Sequence, residues 1–260
     1  MEVIIQPNQE AAASLVARIV AHDLRANSHL VLGLATGTTM ERVYRQLVHM
    51  HQIEKLDFSL CSTFNLDEYV GLFPSDPNSY RHYMDQHLFR HVNVDPRNTH
   101  LPNGLATDLD AECRHYEAMI VRFGGIDLQL LGIGKAGHIG FNEPTSSLAS
   151  RTRIKTLTPQ TRKDNARFFG SAEKVPHHVI TMGLGTIMEA RQCLMLAFGA
   201  NKARAIAATV EGPMTANVPA SILQMHPSVK VFLDKGAAAR LKRATYYHWV
   251  FKNKPDWQTF

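Results

Sequence analysis

Short apolar runs alternate with longer amphipathic stretches along the chain. Six runs of this kind occur, at residues 31–35, 60–66, 126–133, 178–182, 193–198 and 229–233. Compact apolar runs of this length, bounded by polar residues, predict buried strands.

The stretches between several of these runs predict helices. Apolar residues recur at helical spacing in three of them, and a fourth is short and rich in alanine: residues 8–27, 38–51, 109–123 and 200–209. Thr38 stands where a helix cap is expected, and Gly124 is a plausible helix stop. Strands that alternate with helices predict an α/β fold, with a doubly wound, mostly parallel, Rossmann-like sheet and helices on both faces.

The domain organisation is simple. The sequence contains no Pro/Gly/Ser-rich linker, low-complexity tract or internal repeat, so we predict a single domain over residues 1–260. Residues 146–175 are polar and basic, with little strand or helix pattern. A segment of that length is often a lid or binding loop, and we expect a lid-like segment at about 146–175.

Composition narrows the class of protein. Hydrophobic residues make up 45% of the chain and charged residues 20%, so a sizeable core is expected and disorder is disfavoured. The formal net charge of +5 is spread along the chain without a run of like charges, which disfavours nucleic-acid binding. A mild positive bias suits an anionic small substrate.

The cysteines and the apolar content bear on location. Cys61, Cys113 and Cys193 are far apart and odd in number, which disfavours a disulfide framework or a cysteine-based zinc site and fits a reducing cytosol. The N-terminal residues lack a signal-peptide pattern, and no apolar run approaches the roughly 20 residues that span a bilayer. We therefore expect a cytoplasmic protein without a membrane partner.

Ligands of doubly wound sheets bind at the carboxyl ends of the strands, which directs attention to residues 34–40, LATGTTM. A strand ends there, a glycine and three threonines follow, and a helix begins. Backbone N–H groups at a helix start, with hydroxyls beside them, suit a phosphate, although no Gly-Lys-Ser/Thr of a P-loop follows. An ordinary capped turn explains the segment equally well.

A second segment, residues 64–72 (FNLDEYVGL), places Asp67 and Glu68 directly after an apolar strand. One of these carboxylates could act as a general base at the strand end. Taken alone, the segment favours the simpler interpretation of two solvated loop acids.

A third segment, residues 132–144 (GIGKAGHIGFNEP), contains the spacing GxGxxG. A dinucleotide fingerprint is rejected, because it requires a helix at the third glycine and an acid about 20 positions further on. Pro144 disfavours such a helix, and residues 155–159 hold no acid. The glycines more plausibly let the backbone pass close to a ligand.

The same segment contains His138, with Glu143 five residues further on. A histidine titrates near neutrality and a nearby carboxylate could orient it, so the pair could shuttle a proton. A buried histidine with a chance acid nearby is the alternative, and it usually holds for a lone histidine in a chain with 14. The glycine-rich loop at a strand end favours the functional interpretation here.

Four motifs together closely resemble the glucosamine-6-phosphate deaminase (glucosamine/galactosamine-6-phosphate isomerase) family: FNLDEYVGL, GHIGFNEP, SSLASRTRIKTLT and ARFF. Matching features extend from VLGLATGTT to LQMHP, over nearly the whole chain. The resemblance implies conversion of glucosamine 6-phosphate and water to fructose 6-phosphate and ammonia in amino-sugar catabolism, without a metal or organic cofactor. The 6-phosphogluconolactonases and pentose-phosphate isomerases are similar in fold but lack this combination of motifs.

The resemblance also implies roles for individual residues. Asp67 matches the base that moves a proton between C2 and C1, His138 matches the ring-opening acid/base, and Glu143 matches its carboxylate partner. The positions that match the family's phosphate site are Thr36, Gly37, Thr38, Thr39, Arg167 and Lys202.

Ala136 departs from the family pattern, because it occupies the usual position of a ring-opening Asp or Asn. His138 and Glu143 could suffice, turnover could be reduced, or the substrate could differ. The alternatives are a galactosamine-6-phosphate deaminase, a 6-phosphogluconolactonase-like enzyme, or a catalytically weakened sugar-phosphate sensor. The turn GTTM departs too, since the commoner form has a second glycine and a proline.

Residues 146–156 resemble the segment that binds N-acetylglucosamine 6-phosphate between subunits of hexameric, allosteric members of the family. The matching positions are Met1, Ser146, Arg153, Lys155 and Thr156. Residues 217–227 instead resemble members that lack this control. The resemblance therefore implies a homo-oligomer, with a hexamer as first choice and a lower oligomer as the alternative, and it leaves allostery open.

Overall fold

A computed structural model describes residues 1–255 of the chain. Its strands are β1 (Glu2–Gln6), β2 (Val31–Leu34), β3 (Ser62–Asn65), β4 (Asp67–Tyr69), β5 (Thr99–His100), β6 (Leu128–Gly132), β7 (Arg153–Thr156), β8 (His178–Thr181), β9 (Gln192–Ala197) and β10 (Val229–Asp234). Seven of them form one parallel sheet in the order β1-β10-β9-β6-β2-β3-β5. The predicted α/β fold with a mostly parallel sheet is confirmed.

Eight α-helices accompany the strands in the described part of the chain. They are α1 (Gln9–Ala26), α2 (Thr38–Glu54), α3 (Tyr80–His87), α4 (Leu109–Arg122), α5 (Pro159–Phe169), α6 (Leu184–Met188), α7 (Ala203–Val210) and α8 (Ala244–Lys252). None of the helices within residues 1–255 is long and apolar enough to cross a membrane. The helices predicted at residues 8–27, 38–51 and 109–123 correspond to α1, α2 and α4.

The core lies along the middle strands, β2, β6 and β9, whose side chains are almost all buried. Close packing explains one residue choice in this sheet. A side chain on Gly33 of β2 would meet the amide of Gln129 on β6, since an added Cβ would lie 2.1 Å from its Oε1 atom. Adjacent strands of this sheet therefore fit because one position carries no side chain.

A second, antiparallel sheet of three strands has the order β4-β8-β7. It packs around a small apolar cluster separate from the main core: Tyr69, Phe141, Leu157, Val175 and Val179. The strand predicted at residues 178–182 exists as β8, but it belongs to this sheet and not to the parallel one. Its apolar run indicated burial, and burial does not identify a pairing partner.

The interpretation of residues 146–175 as a segment with little regular structure was wrong, because it contains β7 and α5. Helix α5 lacks the apolar stripe that makes a helix recognisable, since Thr161 is its only buried residue. Its end signals are nevertheless present. Thr158 caps the start, Pro159 stands in the first turn, and Gly170 ends the helix at φ 80°.

Candidate active site

A cleft of about 1140 Å³ opens where β2, β3, β6 and β9 end. Its walls come from the turn after β2, from Asp67, from the loop after β6, from α5 and from the turn after β9. The cleft therefore lies at the carboxyl ends of the parallel strands, where the fold class leads one to expect a ligand.

The turn from β2 into α2 forms one wall of the cleft. Gly37 adopts φ 102°, a conformation that favours glycine, and it supplies no side chain to cap α2. The first N–H groups of the helix are therefore available to an anion. The hydroxyl of Tyr83 donates a hydrogen bond of 2.9 Å to the carbonyl oxygen of Gly37 and fixes the turn.

Two cationic side chains line the same cleft as this turn. The Nζ atom of Lys202 donates a 2.7 Å hydrogen bond to the carbonyl of Ile133, while Arg167 on α5 is exposed. Burial lowers the pKa of Lys202, and the charges of Lys135 and Arg167 lower it further. The structure thus brings all six residues of the predicted phosphate site to the walls of one cleft: Thr36, Gly37, Thr38, Thr39, Arg167 and Lys202.

Asp67 stands at the start of β4, and its buried carboxylate lines the cleft. Burial raises the pKa of Asp67 to about 8, and the negative charge of Glu68 contributes to the rise. A hydrogen bond from Thr181 opposes it. A carboxyl group with a pKa near the working pH is suited to take a proton from carbon and return it.

Glu68 has a different environment, although it is the next residue along the chain. Its carboxylate accepts hydrogen bonds of 2.8, 2.9 and 2.9 Å from the backbone N–H groups of Tyr69, Tyr80 and Arg81. Two of these donors belong to the first turn of α3, so Glu68 stabilises the start of that helix. Of the two acids that the sequence left open, only Asp67 faces the cleft.

His138 and Glu143 come together as predicted. The Nδ1 atom of His138 lies 3.3 Å from Oε2 of Glu143, a distance that fits an ion pair, although the angle departs from that of a well-aligned hydrogen bond. Burial acts to raise the pKa of Glu143. His138 and the hydroxyls of Thr161 and Thr158 outweigh it and hold that pKa below its usual value.

The glycines of the loop make room for these groups. A Cβ added at Gly134 would lie 2.0 Å from Nε2 of His138, and one at Gly140 would lie 3.4 Å from Oδ2 of Asp67. No helix begins within residues 132–152, in agreement with the rejection of a dinucleotide fingerprint. Thus Gly134 leaves space for the imidazole of His138, whereas Gly140 leaves space for the Thr181 hydroxyl, at 2.9 Å from an added Cβ.

Ala136 is exposed at the tip of this loop, and its methyl group cannot hydrogen bond. The carboxylate beside the imidazole of His138 is that of Glu143. Within residues 1–255, no three His, Cys, Asp or Glu side chains are grouped so that they could hold a metal ion.

The positions predicted for an effector are divided between two sheets. Arg153, Lys155 and Thr156 lie on β7, whereas Met1 directly precedes β1 at an edge of the parallel sheet. Ser146 is buried, and its hydroxyl has no hydrogen-bond partner among the described residues.

Sequence reasoning missed two groups at the site. Thr158 and Thr161, at the start of α5, contact the carboxylate of Glu143. Tyr80, at the start of α3, lines the cleft, and its hydroxyl lies 3.4 Å from that of Tyr69. The capping pattern of Thr158 and Pro159 could have located α5, but nothing in the sequence linked α5 to Glu143.

The parallel sheet and its cleft define an α/β protein that combines titratable side chains with an uncapped helix start in one cleft. The chain belongs to the family described as glucosamine-6-phosphate isomerases/6-phosphogluconolactonase, which it matches over residues 7–232. The resemblance inferred from the motifs is thereby confirmed.

Relatives with high identity carry one name. The chain is 52% identical to a glucosamine-6-phosphate deaminase of an Arthrobacter species over 99% of both chains, and 50% identical to that of Rhodococcus opacus over 100% of both. Among solved structures, one described as a monomeric glucosamine-6-phosphate deaminase superposes with a TM-score of 0.91. It is 46% identical, and the match covers 92% of this chain and 100% of that one.

More distant structures share the fold. A 6-phosphogluconolactonase from Trypanosoma cruzi has a TM-score of 0.73 over 93% of this chain and 97% of its own, at 18% identity. At that identity the likeness concerns the fold alone.

Proposed function

We propose that this chain is a glucosamine-6-phosphate deaminase, which converts glucosamine 6-phosphate and water to fructose 6-phosphate and ammonia. Full-length relatives of about 50% identity carry this name. The observation that carries the proposal is that Asp67 and His138, which is paired with Glu143, line one cleft together with the Thr36–Thr39 turn and two cationic side chains.

Substrate binding begins at the phosphate. The Thr36–Thr39 turn offers backbone N–H groups and hydroxyls, and Lys202 and Arg167 add positive charge to the same cleft. An anion held at one end of the cleft positions the sugar ring toward the acid/base residues at the other.

Ring opening is the task of His138. The imidazole moves a proton from the C1 hydroxyl to the ring oxygen, which breaks the C1–O bond and leaves an aldehyde at C1. Glu143 holds the ring of His138 and stabilises its protonated form. The polarised aldehyde then acidifies the proton on C2.

Asp67 performs the isomerisation. Its carboxylate takes the C2 proton to give an enolamine, and the proton returns to C1 to give a ketimine at C2. Water adds to the ketimine and ammonia leaves, which yields fructose 6-phosphate. The buried position of Asp67 raises its basicity toward neutral pH, as this proton transfer requires.

Position 136 is part of the proposal. With alanine there, the His138–Glu143 pair carries ring opening without a second carboxylate. A weakened sensor and a different sugar phosphate are the competing functions, and Ala136 is the feature that motivates them.

The segment at residues 146–175 acts as a lid in this proposal. Helix α5 supplies Thr161, Asn165 and Arg167 to the cleft wall. Lys135 of the loop forms a 3.0 Å ion pair with Asp164 of the helix. A wall built from one helix can move as a unit and close over bound sugar.

Assembly and location belong to the same proposal. The motifs favour a homo-oligomer, with a hexamer first, a lower oligomer as the alternative and an effector at β7, whereas the structural relative described as monomeric supports a monomer. Light scattering with and without N-acetylglucosamine 6-phosphate separates these assembly states.

Three buried, free cysteines support a reducing, cytoplasmic location.

The test is turnover by purified protein, measured as ammonia release from glucosamine 6-phosphate and from galactosamine 6-phosphate, and as acid release from the competing substrate 6-phosphogluconolactone, which contains no nitrogen. We expect glucosamine 6-phosphate to be preferred and Asp67→Asn to lose activity. Preference for either competitor would replace the proposed substrate. Equal rates in wild type and Asp67→Asn would remove Asp67 from the mechanism.

A further inference from the structure

Glu143 divides its two carboxylate oxygens between two elements of the structure. Oε2 lies 3.3 Å from Nδ1 of His138. Oε1 accepts a hydrogen bond from the hydroxyl of Thr161 on α5, and the hydroxyl of Thr158 lies 3.5 Å from the same atom. Glu143 and Thr161 are both buried, at 7% and 8% exposure, so water competes little for these contacts.

The first turn of α5 fixes the direction of this hydrogen bond. The N–H group of Thr161 donates to Oγ1 of Thr158 at 3.2 Å, in the usual geometry of a helix cap. The hydroxyl of Thr158 in turn donates to Oγ1 of Thr161 at 3.0 Å. The proton of the Thr161 hydroxyl is therefore left for Oε1 of Glu143, since an ionised carboxylate only accepts.

We propose that Thr161 is a positioning residue for proton transfer at His138, because its hydroxyl holds Glu143 with Oε2 turned toward the imidazole. The inference rests on the proposed function. Ala136 supports the same inference, because an alanine side chain cannot hydrogen bond to the imidazole of His138 or to the groups around it. Glu143 is then the group that orients His138, and Thr161 fixes the orientation of Glu143.

The same contact links the lid to the chemistry. Helix α5 carries Arg167 at the cleft wall, and its Asn165 donates a 3.1 Å hydrogen bond to the hydroxyl of Tyr69. A rigid displacement of α5 would move Arg167 and Thr161 together, because both residues belong to this helix. The position of one helix thereby sets both an edge of the binding site and the alignment of the acid/base pair.

The experiment compares Thr161→Val, which keeps the shape of the side chain and loses the hydroxyl, with Thr161→Ser, which keeps the hydroxyl. Gln160→Ala removes an exposed side chain of the same helical turn together with its 3.2 Å hydrogen bond to Asp164, and it serves as the control for a change on α5 that leaves Glu143 untouched. We expect kcat of Thr161→Val to fall about tenfold with KM changed less than about twofold, because a hydrogen bond to a charged group is lost. Thr161→Ser and Gln160→Ala retain kcat within about twofold.

The pH dependence of kcat is a measurement that a purely structural role of Thr161 would leave unchanged. Loss of the Thr161 hydroxyl removes one of the influences that lower the pKa of Glu143, while His138 remains the charged group acting on it. A second acidic limb, which reports Glu143 and lies at lower pH than the limb of Asp67, therefore moves to higher pH in Thr161→Val and not in Thr161→Ser. A full kcat in Thr161→Val, or equal losses in the Val and Ser variants, would overturn the inference.

A measurement without substrate separates this inference from the proposed function. Hydrogen exchange of residues 159–169 is followed in ligand-free protein for Thr161→Val, Glu143→Ala and the double variant. We expect both single variants to speed exchange and the double variant to add little, because they remove the same contact. Additive effects would refute the contact, whereas an absence of ammonia release by wild type would refute the deaminase proposal alone.

Discussion

Gly134 leaves the space that the imidazole of His138 occupies, since a Cβ at position 134 would lie 2.0 Å from Nε2. The backbone N–H of Gly134 also donates a 2.9 Å hydrogen bond to the carbonyl of His138, so the two residues are fixed to each other. A displacement of the imidazole would therefore disrupt the contact between Nδ1 of His138 and Oε2 of Glu143.

We therefore expect Gly134→Ala to lower kcat by about a hundredfold, because a displacement of about 1 Å in a catalytic group costs that much. The protein remains folded, since the residue lies in a loop at the cleft. Steady-state ammonia release measures the effect. Gly132→Ala is the matched control, because a Cβ there would meet only Met40, at 3.9 Å. Similar losses in both variants would contradict a specific role for position 134.

Asp67 gives the folded protein a pH-dependent stability. Burial raises its pKa from an ordinary value of about 4 to about 8, so the folded state holds a proton that the unfolded state has released between these values. The contribution of Asp67 to stability is therefore fully present below pH 4 and is lost as the pH rises toward 8.

The variant Asp67→Asn does not titrate, and its advantage over wild type should grow across that window by up to a few kcal/mol. Urea unfolding of both proteins at pH 5 and pH 8.5 tests this. A stability difference that stays constant with pH would show that Asp67 is not desolvated as described.

Much of the fold could be predicted, because buried runs such as residues 31–35 and 126–133 have few alternatives to a central strand. Helix α5 was missed for the opposite reason. Its only buried residue is Thr161, and Thr158 stabilises its N-terminal end, so hydrophobic periodicity gave no signal.

The site residues likewise divide into those that local sequence could predict and those that it could not. His138 and Glu143 lie five residues apart in one loop, and local sequence was enough to pair them. Asp67 and Glu68 could not be separated by local sequence, because the difference arises from N–H donors of Tyr80 and Arg81, which only the fold brings to Glu68. Contacts that span elements need the packed structure.

Glu68 should tune the pH dependence of the reaction through Asp67. Its negative charge contributes to the raised pKa of Asp67, so Glu68→Gln should lower that pKa. In wild type we expect kcat/KM to rise with pH through an apparent pKa near 8, as Asp67 becomes a carboxylate.

In Glu68→Gln the rise should occur at lower pH, while weaker hydrogen bonds to the start of α3 reduce stability by about 1 kcal/mol. The pH profile of ammonia release and a thermal melt measure the two effects separately. An unchanged profile in a destabilised variant would confine Glu68 to its role at α3.

The variant Ala136→Asp tests whether ring opening needs a carboxylate at position 136. If the His138–Glu143 pair carries ring opening, a carboxylate at the exposed position 136 adds little, and kcat should change by less than about threefold. The assay is run with and without N-acetylglucosamine 6-phosphate, so that a change caused by an effector is not mistaken for one caused by the substitution. Ala136→Ser serves as a neutral control. Tight binding of glucosamine 6-phosphate without turnover in wild type, with turnover restored only in Ala136→Asp, would instead identify a sensor that has lost its enzyme activity.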